Sequence, residues 1–244
     1  MNSFKFYAVF KENEEYTVRS SSEELGTIVM PPPVGEKIAI AGHVWIVEEV
    51  DHKRHLVYCE QVRGKVPAYF GQCPGDINTR VLERMQRVLA EDKIYPYLMK
   101  NALGRLYEAR SLARLGGVTT EPLINLGGDM WCLFPWLGTY AFLALERFLK
   151  LKCAKELGLT ALDPARPYFI QFKMKASREE FFRVLKDREK QPLDPMELVY
   201  PGEVPLFEKY DEFIPPELVR KGFAYGILAI DEMKSRIRGW EIRP

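Results

Sequence analysis

The spacing of apolar and polar residues divides the chain into a strand-rich first part and a longer part with helices. Over residues 1–70, apolar side chains alternate with polar ones in short runs separated by turn residues, which is typical of half-buried strands. The predicted strands are Phe4–Lys11, Glu15–Arg19, Leu25–Met30, Lys37–Ala41, Val44–Val50 and His55–Val62. Strands at such close spacing predict a small antiparallel β-barrel or meander. Trp45 shares one strand face with Val47, so we expect it in the core of this unit.

After residue 70 the apolar period lengthens to that of amphipathic helices. Asn78 or Thr79 can cap a first helix, and Tyr97–Leu115 is predicted as a second one that ends at Gly116. Pro96 interrupts the helical pattern between these two predicted helices.

The segment from Gly128 to Leu151 carries the strongest local signal. The apolar run Met130–Trp136 is too short for a helix, so it predicts a strand buried on both faces. Gly138 and Thr139 then open an amphipathic helix, with Thr139 as the expected N-cap. We call residues 134–139, Phe-Pro-Trp-Leu-Gly-Thr, the elbow.

A second strand–helix pair and a last helix complete the prediction. Tyr168–Lys173 alternates as a half-buried strand, and Ser177 with Glu180 forms a capping-box pattern ahead of another helix. The last helix is expected from Pro216 or Glu217 to about Ile237. The chain is therefore predicted to be α+β, with a small β-barrel-like domain at residues 1–70 and a mixed α/β region at residues 71–244.

Composition limits the partners. The formal net charge of the 244 residues is +1, so any surface that binds nucleic acid must be a local concentration of cations. The sequence contains no apolar run of 18 residues, so no membrane span is predicted. The four cysteines form no CxxC pair, which indicates reduced thiols and a cytoplasmic protein rather than a zinc ribbon or a disulfide framework.

The sequence contains none of the common catalytic or cofactor motifs. There is no GxxxxGK[ST] phosphate loop, no GxGxxG after a strand and no HExxH, so no catalytic residue, cofactor or metal is predicted. His52 and His55 could converge on a metal, or they could lie in a solvated hairpin turn. Cys59 could be a nucleophile activated by His43 or His55, or a small core residue.

Two groups of residues are candidates for nucleic-acid binding. On the first helix Arg80, Arg84 and Arg87 share a face by i, i+4 and i+7 spacing, and the second helix adds Arg105, Arg110 and Arg114. These arginines could track phosphates or form a solvated helix face.

At the elbow, Trp136 could stack on a base, and Thr139 with the helix N-terminus could bind a phosphate. Alternatively, Trp136 lies in the core and Thr139 only caps its helix.

Several patches, in collinear order, resemble the region behind the motor domains of large helicase-related (Lhr-like) DEAD/DEAH-box ATP-dependent helicases. The patches are Ile38–Asp51, Pro67–Gly71, Arg80–Leu89, Tyr97–Arg110, Phe134–Thr139 and Lys209–Arg220. The sequence departs from the family at Tyr140, where a basic residue is frequent, and at His43, where arginine is usual. Both RecA-like motor domains are missing from this sequence, so we expect an excised C-terminal region or a stand-alone homologue of it.

The resemblance implies an accessory module that engages DNA or RNA beside RecA-like helicase motor domains, in cis or in trans, with no ATPase site and no membrane partner. An alternative is a protein–protein adaptor that docks a helicase or nuclease subunit. A small hydrolase with an unrecognised site is a third possibility.

Overall fold

The computed structural model describes residues 15–28, 34–35, 37–51, 54–63, 76–208 and 210–240. The chain divides into two compact units, Met1–Pro74 and Gly75–Pro244, and each is described by itself. The predicted strand Phe4–Lys11 lies outside the described residues. The α+β class predicted from the sequence is confirmed.

The first unit is a curled five-stranded sheet. Its strands are β1 (Tyr16–Arg19), β2 (Glu24–Ile28), β3 (Lys37–Ile40), β4 (His43–Asp51) and β5 (Leu56–Gln61), in the spatial order β2-β1-β5-β4-β3. Three of the pairs are antiparallel, as predicted, but β1 and β5 pair in parallel. The sheet is therefore mixed and not a simple meander.

The inner face of this sheet carries a small core. Trp45 and Val47 on β4 are both buried, whereas the strand's other face is more open, which confirms the predicted inward face. The Trp45 indole Nε1 donates a hydrogen bond to the carbonyl oxygen of Ile40 at 3.0 Å. The other buried apolar residues of the unit are Val18, Ile38, Val57 and Cys59.

The second unit combines helices with a second sheet. Its helices are α1 (Thr79–Ala90), α2 (Lys100–Leu115), α3 (Thr139–Phe148), α4 (Ala154–Leu157), α5 (Arg178–Glu189), α6 (Pro216–Gly222) and α7 (Ile230–Gly239). Single π turns follow α3 at Leu149–Cys153 and α6 at Phe223–Ile227, and 3₁₀ turns lie at Pro195–Leu198 and Asp211–Phe213. The strands are β6 (Leu123–Gly127), β7 (Met130–Leu133), β8 (Thr160–Ala165) and β9 (Phe169–Lys173).

This sheet is antiparallel throughout, with the order β6-β7-β9-β8. The predicted strands became the two central ones, β7 and β9, while the outer strands β6 and β8 were not predicted. Both outer strands lack a continuous apolar run, and β8 contains Pro164, which an edge position tolerates because one side of the strand makes no ladder bonds.

Two predicted helix starts are confirmed by their capping side chains. Asn78 accepts a hydrogen bond from the Arg80 amide, and Ser177 accepts one from the Glu180 amide, so both predicted N-caps are confirmed. The prediction of one continuous last helix is wrong. The chain leaves helical geometry at Leu228, with ψ of 106°, and resumes it at α7, so that Leu228 is buried in the core.

The core of the second unit is rich in aromatic residues. Phe172 on β9, Phe181 and Phe182 on α5, and Trp240 after α7 form a continuous series with ring centroids 5.7, 5.3 and 5.7 Å apart. This series joins the sheet to α5 and to the end of α7, against α3 residues such as Phe142. Among the described residues, no helix has both the length and the apolar character needed to cross a membrane.

We predict that Trp45→Ala lowers the free energy of unfolding of the first unit by about 3–5 kcal/mol, because it removes a buried ring from a small core. Trp45→Phe should cost less, since it keeps an aromatic ring and loses mainly the bond to Ile40. Denaturant unfolding of both variants and of the parent chain measures these differences in stability. Equal stability of Trp45→Ala and the parent chain would contradict the core assignment.

Candidate functional site

The elbow connects β7 to α3, and its indole side chain lies inside the protein. Trp136 has a positive φ of 53° and is only 7% exposed. Its Nε1 donates to the carbonyl oxygen of Val118 at 3.3 Å. A ring buried in this way has no open face for a nucleic-acid base, so the geometry favours the core interpretation of Trp136 over base stacking.

The N-termini of α1 and α3 hold each other through reciprocal hydrogen bonds. The Gly138 amide donates to the Thr79 hydroxyl at 2.6 Å, and the Ile77 amide donates to the Thr139 hydroxyl at 2.9 Å. The Thr139 amide donates to the Ile77 carbonyl oxygen at 2.9 Å. We call this set of contacts the helix-start clamp.

The clamp changes the role expected for Thr139. The N-cap of α3 is Gly138, and Thr139 is the first helical residue, so the prediction of a Thr139 cap is wrong. Its hydroxyl bonds across the chain to Ile77 because α1 begins directly against the elbow. Donors that already serve a carbonyl or a hydroxyl in the same chain are poor candidates for a phosphate site.

Glycine is required at residue 138 because there is no space for a side chain at this contact. A Cβ atom built on it would lie 2.6 Å from the Thr79 amide nitrogen and closer still to the Ile77 carbonyl oxygen. Both neighbours are backbone atoms, which cannot turn aside as a flexible side chain would. The absence of a side chain at residue 138 therefore lets the two helix starts approach.

The α1–α2 pair is built around Tyr95, which is 6% exposed. Arg84 donates to the Tyr95 hydroxyl at 2.7 Å, and that hydroxyl donates to the Glu91 carboxylate. The hydrogen bond from Tyr95, with the nearby Arg84 guanidinium, lowers the pKa of Glu91. The charged groups of Arg84, Lys93 and Arg110 lie 5.8, 5.8 and 6.0 Å from the centre of the Tyr95 ring, within cation–π range.

Two arginines of α2 serve the structure of this pair. Arg110 is 2% exposed, and it donates to the carbonyl oxygens of Val88 at 2.8 Å and Lys93 at 2.9 Å. It therefore satisfies backbone acceptors at the end of α1. Arg114 forms an ion pair with Asp92. Both side chains already have partners within the chain, which makes them poor candidates for phosphate contacts.

Arg105 lies on another side of α2. It precedes the buried Arg110 by five residues, which is about 140° around a helix. Since Arg110 contacts the end of α1, Arg105 points away from that contact. The structure therefore does not bring it together with the arginines of α1.

Arg80, Arg84 and Arg87 do lie on one exposed face of α1, and we call them the arginine row. The side chains of Arg80 and Arg87 have no hydrogen bond or ion pair with any residue that the structure describes, and Arg84 is 45% exposed beside Glu91. Residues 76–120 carry eight arginines and lysines against five carboxylates. The row is thus a local cationic surface on a nearly neutral chain.

The segment after α1 contains residues that sequence reasoning missed. The apolar spacing predicts Tyr97 as the start of the second helix, but α2 begins only at Lys100, and the Tyr97 side chain is 77% exposed. Its ring centroid lies 5.6 Å from that of Tyr95. The signal available in the sequence was the run Lys93-Ile94-Tyr95-Pro96-Tyr97, in which a lysine precedes two tyrosines on either side of a proline.

The described cysteines and histidines do not form a reactive site. Burial raises the pKa of Cys59 and of Cys132 to about 11 and that of Cys153 to about 12, so these thiols stay protonated at neutral pH. The described part of the chain has no group of three or more His, Cys, Asp or Glu side chains placed to hold a metal. His52, one of the pair considered for a metal, lies outside the described residues.

A buried charge network elsewhere in the second unit joins α3 to a later segment. Arg147 is 6% exposed and makes two bonds to the Glu203 carboxylate, at 2.7 and 2.6 Å, and one to the Leu198 carbonyl oxygen at 3.0 Å. The rings of Tyr200 and Phe223 lie 4.6 and 4.7 Å from its guanidinium carbon. The network holds residues 198–203 and the second π turn against α3, which is a structural role.

A cleft of about 270 Å³ runs between the elbow and the end of α7, lined by residues that include Gln86, Glu121 and Trp240. Arg236 crosses it and bonds to Glu83 at 2.6 Å and to the Trp136 carbonyl oxygen at 3.2 Å. The guanidinium thus has a carboxylate and a carbonyl as partners inside the protein. Of the other lining groups, the Thr120 hydroxyl donates to the Gly117 carbonyl oxygen and Glu121 pairs with Arg178, so neither is placed as a nucleophile with its base.

No protein-family model matches the chain, and neither the curated proteins nor the solved structures include a significant match.

We predict that Gly138→Ala destabilises the second unit by at least the ~1–3 kcal/mol typical of overpacking, because its Cβ would collide with backbone of residues 77–79. Gly104→Ala is the matched control. Gly104 lies inside α2 with nothing within 4 Å of an added Cβ, so that change should be neutral or stabilise the helix by up to ~1 kcal/mol.

Thermal unfolding of the two variants beside the parent chain tests the contact. If Gly138→Ala unfolds at the same temperature as Gly104→Ala, the helix-start clamp is not the close contact described above.

Proposed function

We propose that the chain is an accessory module that engages DNA or RNA through the arginine row of α1 and guides strands beside RecA-like helicase motor domains, in cis or in trans. The observation that carries the proposal is the pair Arg80 and Arg87, which are exposed, aligned and without a partner among the described residues. Cations that are not neutralised by their own chain remain available for phosphates.

Electrostatics favour the row over other surfaces. The first unit carries more carboxylates than basic residues, so it is a poor site for a polyanion. Arg80 and Arg87 are separated by two helical turns, about 10 Å along α1, and Arg84 lies between them. A phosphate backbone that follows the helix could therefore meet the guanidinium groups of both Arg80 and Arg87.

The helicase part of the proposal is supported by the sequence resemblance to the region behind Lhr-like motor domains. In this proposal the ATP-driven motor belongs to other domains or to another chain, and the module works with it in the cytoplasm. The module contributes no ATPase site, because the sequence has no phosphate loop with its lysine.

A second candidate function, docking of a helicase or nuclease subunit, is favoured by a different surface. Between residues 204 and 225 several large apolar side chains are exposed by 40–61%. They are Val204, Leu206, Tyr210, Phe213, Ile214, Leu218 and Tyr225. Exposed apolar side chains gathered in one segment are typical of a protein interface.

Replacing Arg80 and Arg87 together by Gln should weaken the binding of nucleic acid of any sequence. Each phosphate contact contributes roughly 0.7–0.9 to the slope of log K against log salt, so losing two should flatten the slope by about 1.4–1.8. Glutamine forms helices well, so α1 should persist. Titration of a labelled single strand and a labelled duplex at several salt concentrations measures both quantities.

The control is Lys155→Gln with Lys221→Gln, which removes the same charge from two other exposed positions. This variant should keep the parent slope. If both double variants lose affinity equally, the effect is one of net charge and not of the arginine row. If the parent chain binds no nucleic acid at low salt, the docking function takes the place of the proposal.

The isolated chain should show no ATP turnover, with or without nucleic acid, because it lacks the residues that bind the β- and γ-phosphates and Mg²⁺. A phosphate-release assay on the fractions of a sizing column measures the ATP turnover. Turnover that co-elutes with the chain after extensive purification would contradict the proposed division between module and motor.

A further inference from the structure

The arginine row leads to an aromatic pair. Arg84 contacts Tyr95 through its hydroxyl and over its ring, and the Tyr97 ring lies next to Tyr95, with the two planes tilted by 38°. The guanidinium groups and the aromatic rings are therefore neighbours in space, although α1 ends at Ala90.

Tyr95 and Tyr97 are held very differently. Tyr95 is fixed by its hydrogen bonds to Arg84 and Glu91 and by the three cations around its ring. The Tyr97 side chain forms no hydrogen bond with a residue that the structure describes, and it is 77% exposed, with Met99 exposed by 78% two residues later. A rigid residue thus supports an open one, which leaves a flat aromatic face toward solvent.

Two lysines flank this aromatic pair. Lys93 places its Nζ atom 5.8 Å from the Tyr95 ring centre, and Lys100 is the first residue of α2. Both side chains are exposed, and neither forms an ion pair with a described carboxylate. The nearby carboxylates Glu91 and Asp92 are paired with Arg84 and Arg114, so the two lysines supply the unpaired charge beside Tyr97, which suits a polyanion with stacking groups.

We propose that Tyr97 stacks on an unpaired base, so that this surface selects single-stranded nucleic acid, with the phosphates running from Lys93 to Arg87 and Arg80. The inference rests on the proposed function. A duplex can place its phosphates on the arginine row, but its stacked bases have no face to offer Tyr97. Single strands expose that face, and stacking on aromatic side chains is tolerant of sequence because every base has a π-face.

The first test compares oligothymidine, an abasic oligomer with the same number of phosphates, and a blunt duplex. Tyr97→Ala should weaken oligothymidine binding by about 5- to 150-fold, the range that corresponds to one stacked base. Binding of the abasic oligomer and of the duplex should not change, because Tyr97 makes no phosphate contact in this proposal. The salt slope should also stay the same, since no charge is removed.

Three further variants distinguish stacking from the effect of apolar side-chain volume and from the loss of any exposed tyrosine. Tyr97→Phe keeps the aromatic face and should bind oligothymidine as the parent chain does. Tyr97→Leu keeps apolar bulk without a flat π-system and should lose affinity as Tyr97→Ala does. Tyr168→Ala removes a tyrosine that is 45% exposed in the turn between β8 and β9, and it should leave binding unchanged.

Failure of this inference is distinguishable from failure of the proposed function. If Tyr97→Ala leaves oligothymidine affinity unchanged while the Arg80 and Arg87 double change weakens it, the single-strand proposal is overturned and the proposed function survives. Equal losses on the oligothymidine and the abasic oligomer would also overturn stacking. If the parent chain binds none of the three probes at low salt, both proposals fall.

Discussion

The position of the candidate surface depends on the helix-start clamp, in which Thr79 and Thr139 each accept an amide hydrogen bond from the other helix start. Amide groups at helix starts have no partner within their own helix, so buried ones must find another acceptor. Here each helix supplies the acceptor for the other. Of the α1 residues only Thr79 and Leu82 are buried, so polar contacts rather than a broad apolar contact fix where the arginine row lies: the clamp at the start of α1, Arg236 at Glu83 and Arg110 at Val88.

Arginines on α1 and α2 differ in role because their partners differ. Arg110 satisfies backbone carbonyls in the interior, Arg114 pairs with Asp92, and Arg84 joins Tyr95 to Glu91. Arg110 and Arg114 thus tie α2 to the end of α1 and to the segment after it, whereas Arg84 ties α1 to that same segment. Arg80 and Arg87 have no such task among the described residues, and that is why they are the candidates for external phosphates.

Local rules predicted the parts of this fold that depend on neighbouring residues. Alternation identified the inward face of Trp45, and short polar side chains identified the N-caps Asn78 and Ser177. The edge strands β6 and β8 were missed because pairing with a neighbour, and not their own pattern, makes them strands. Helical spacing alone likewise predicts Arg110 as a surface cation. Its burial could not be predicted locally, because the carbonyl groups that accept its hydrogen bonds are 17 and 22 residues away in the sequence.

The two functions considered for this chain need not exclude each other, because they use different residues of the second unit. Strand guidance depends on cations and an exposed ring at residues 80–100, whereas docking depends on apolar side chains at residues 204–225. Salt weakens the first kind of contact steeply and the second kind little. A module that works beside a motor requires both an interface with the motor and a surface for the strand.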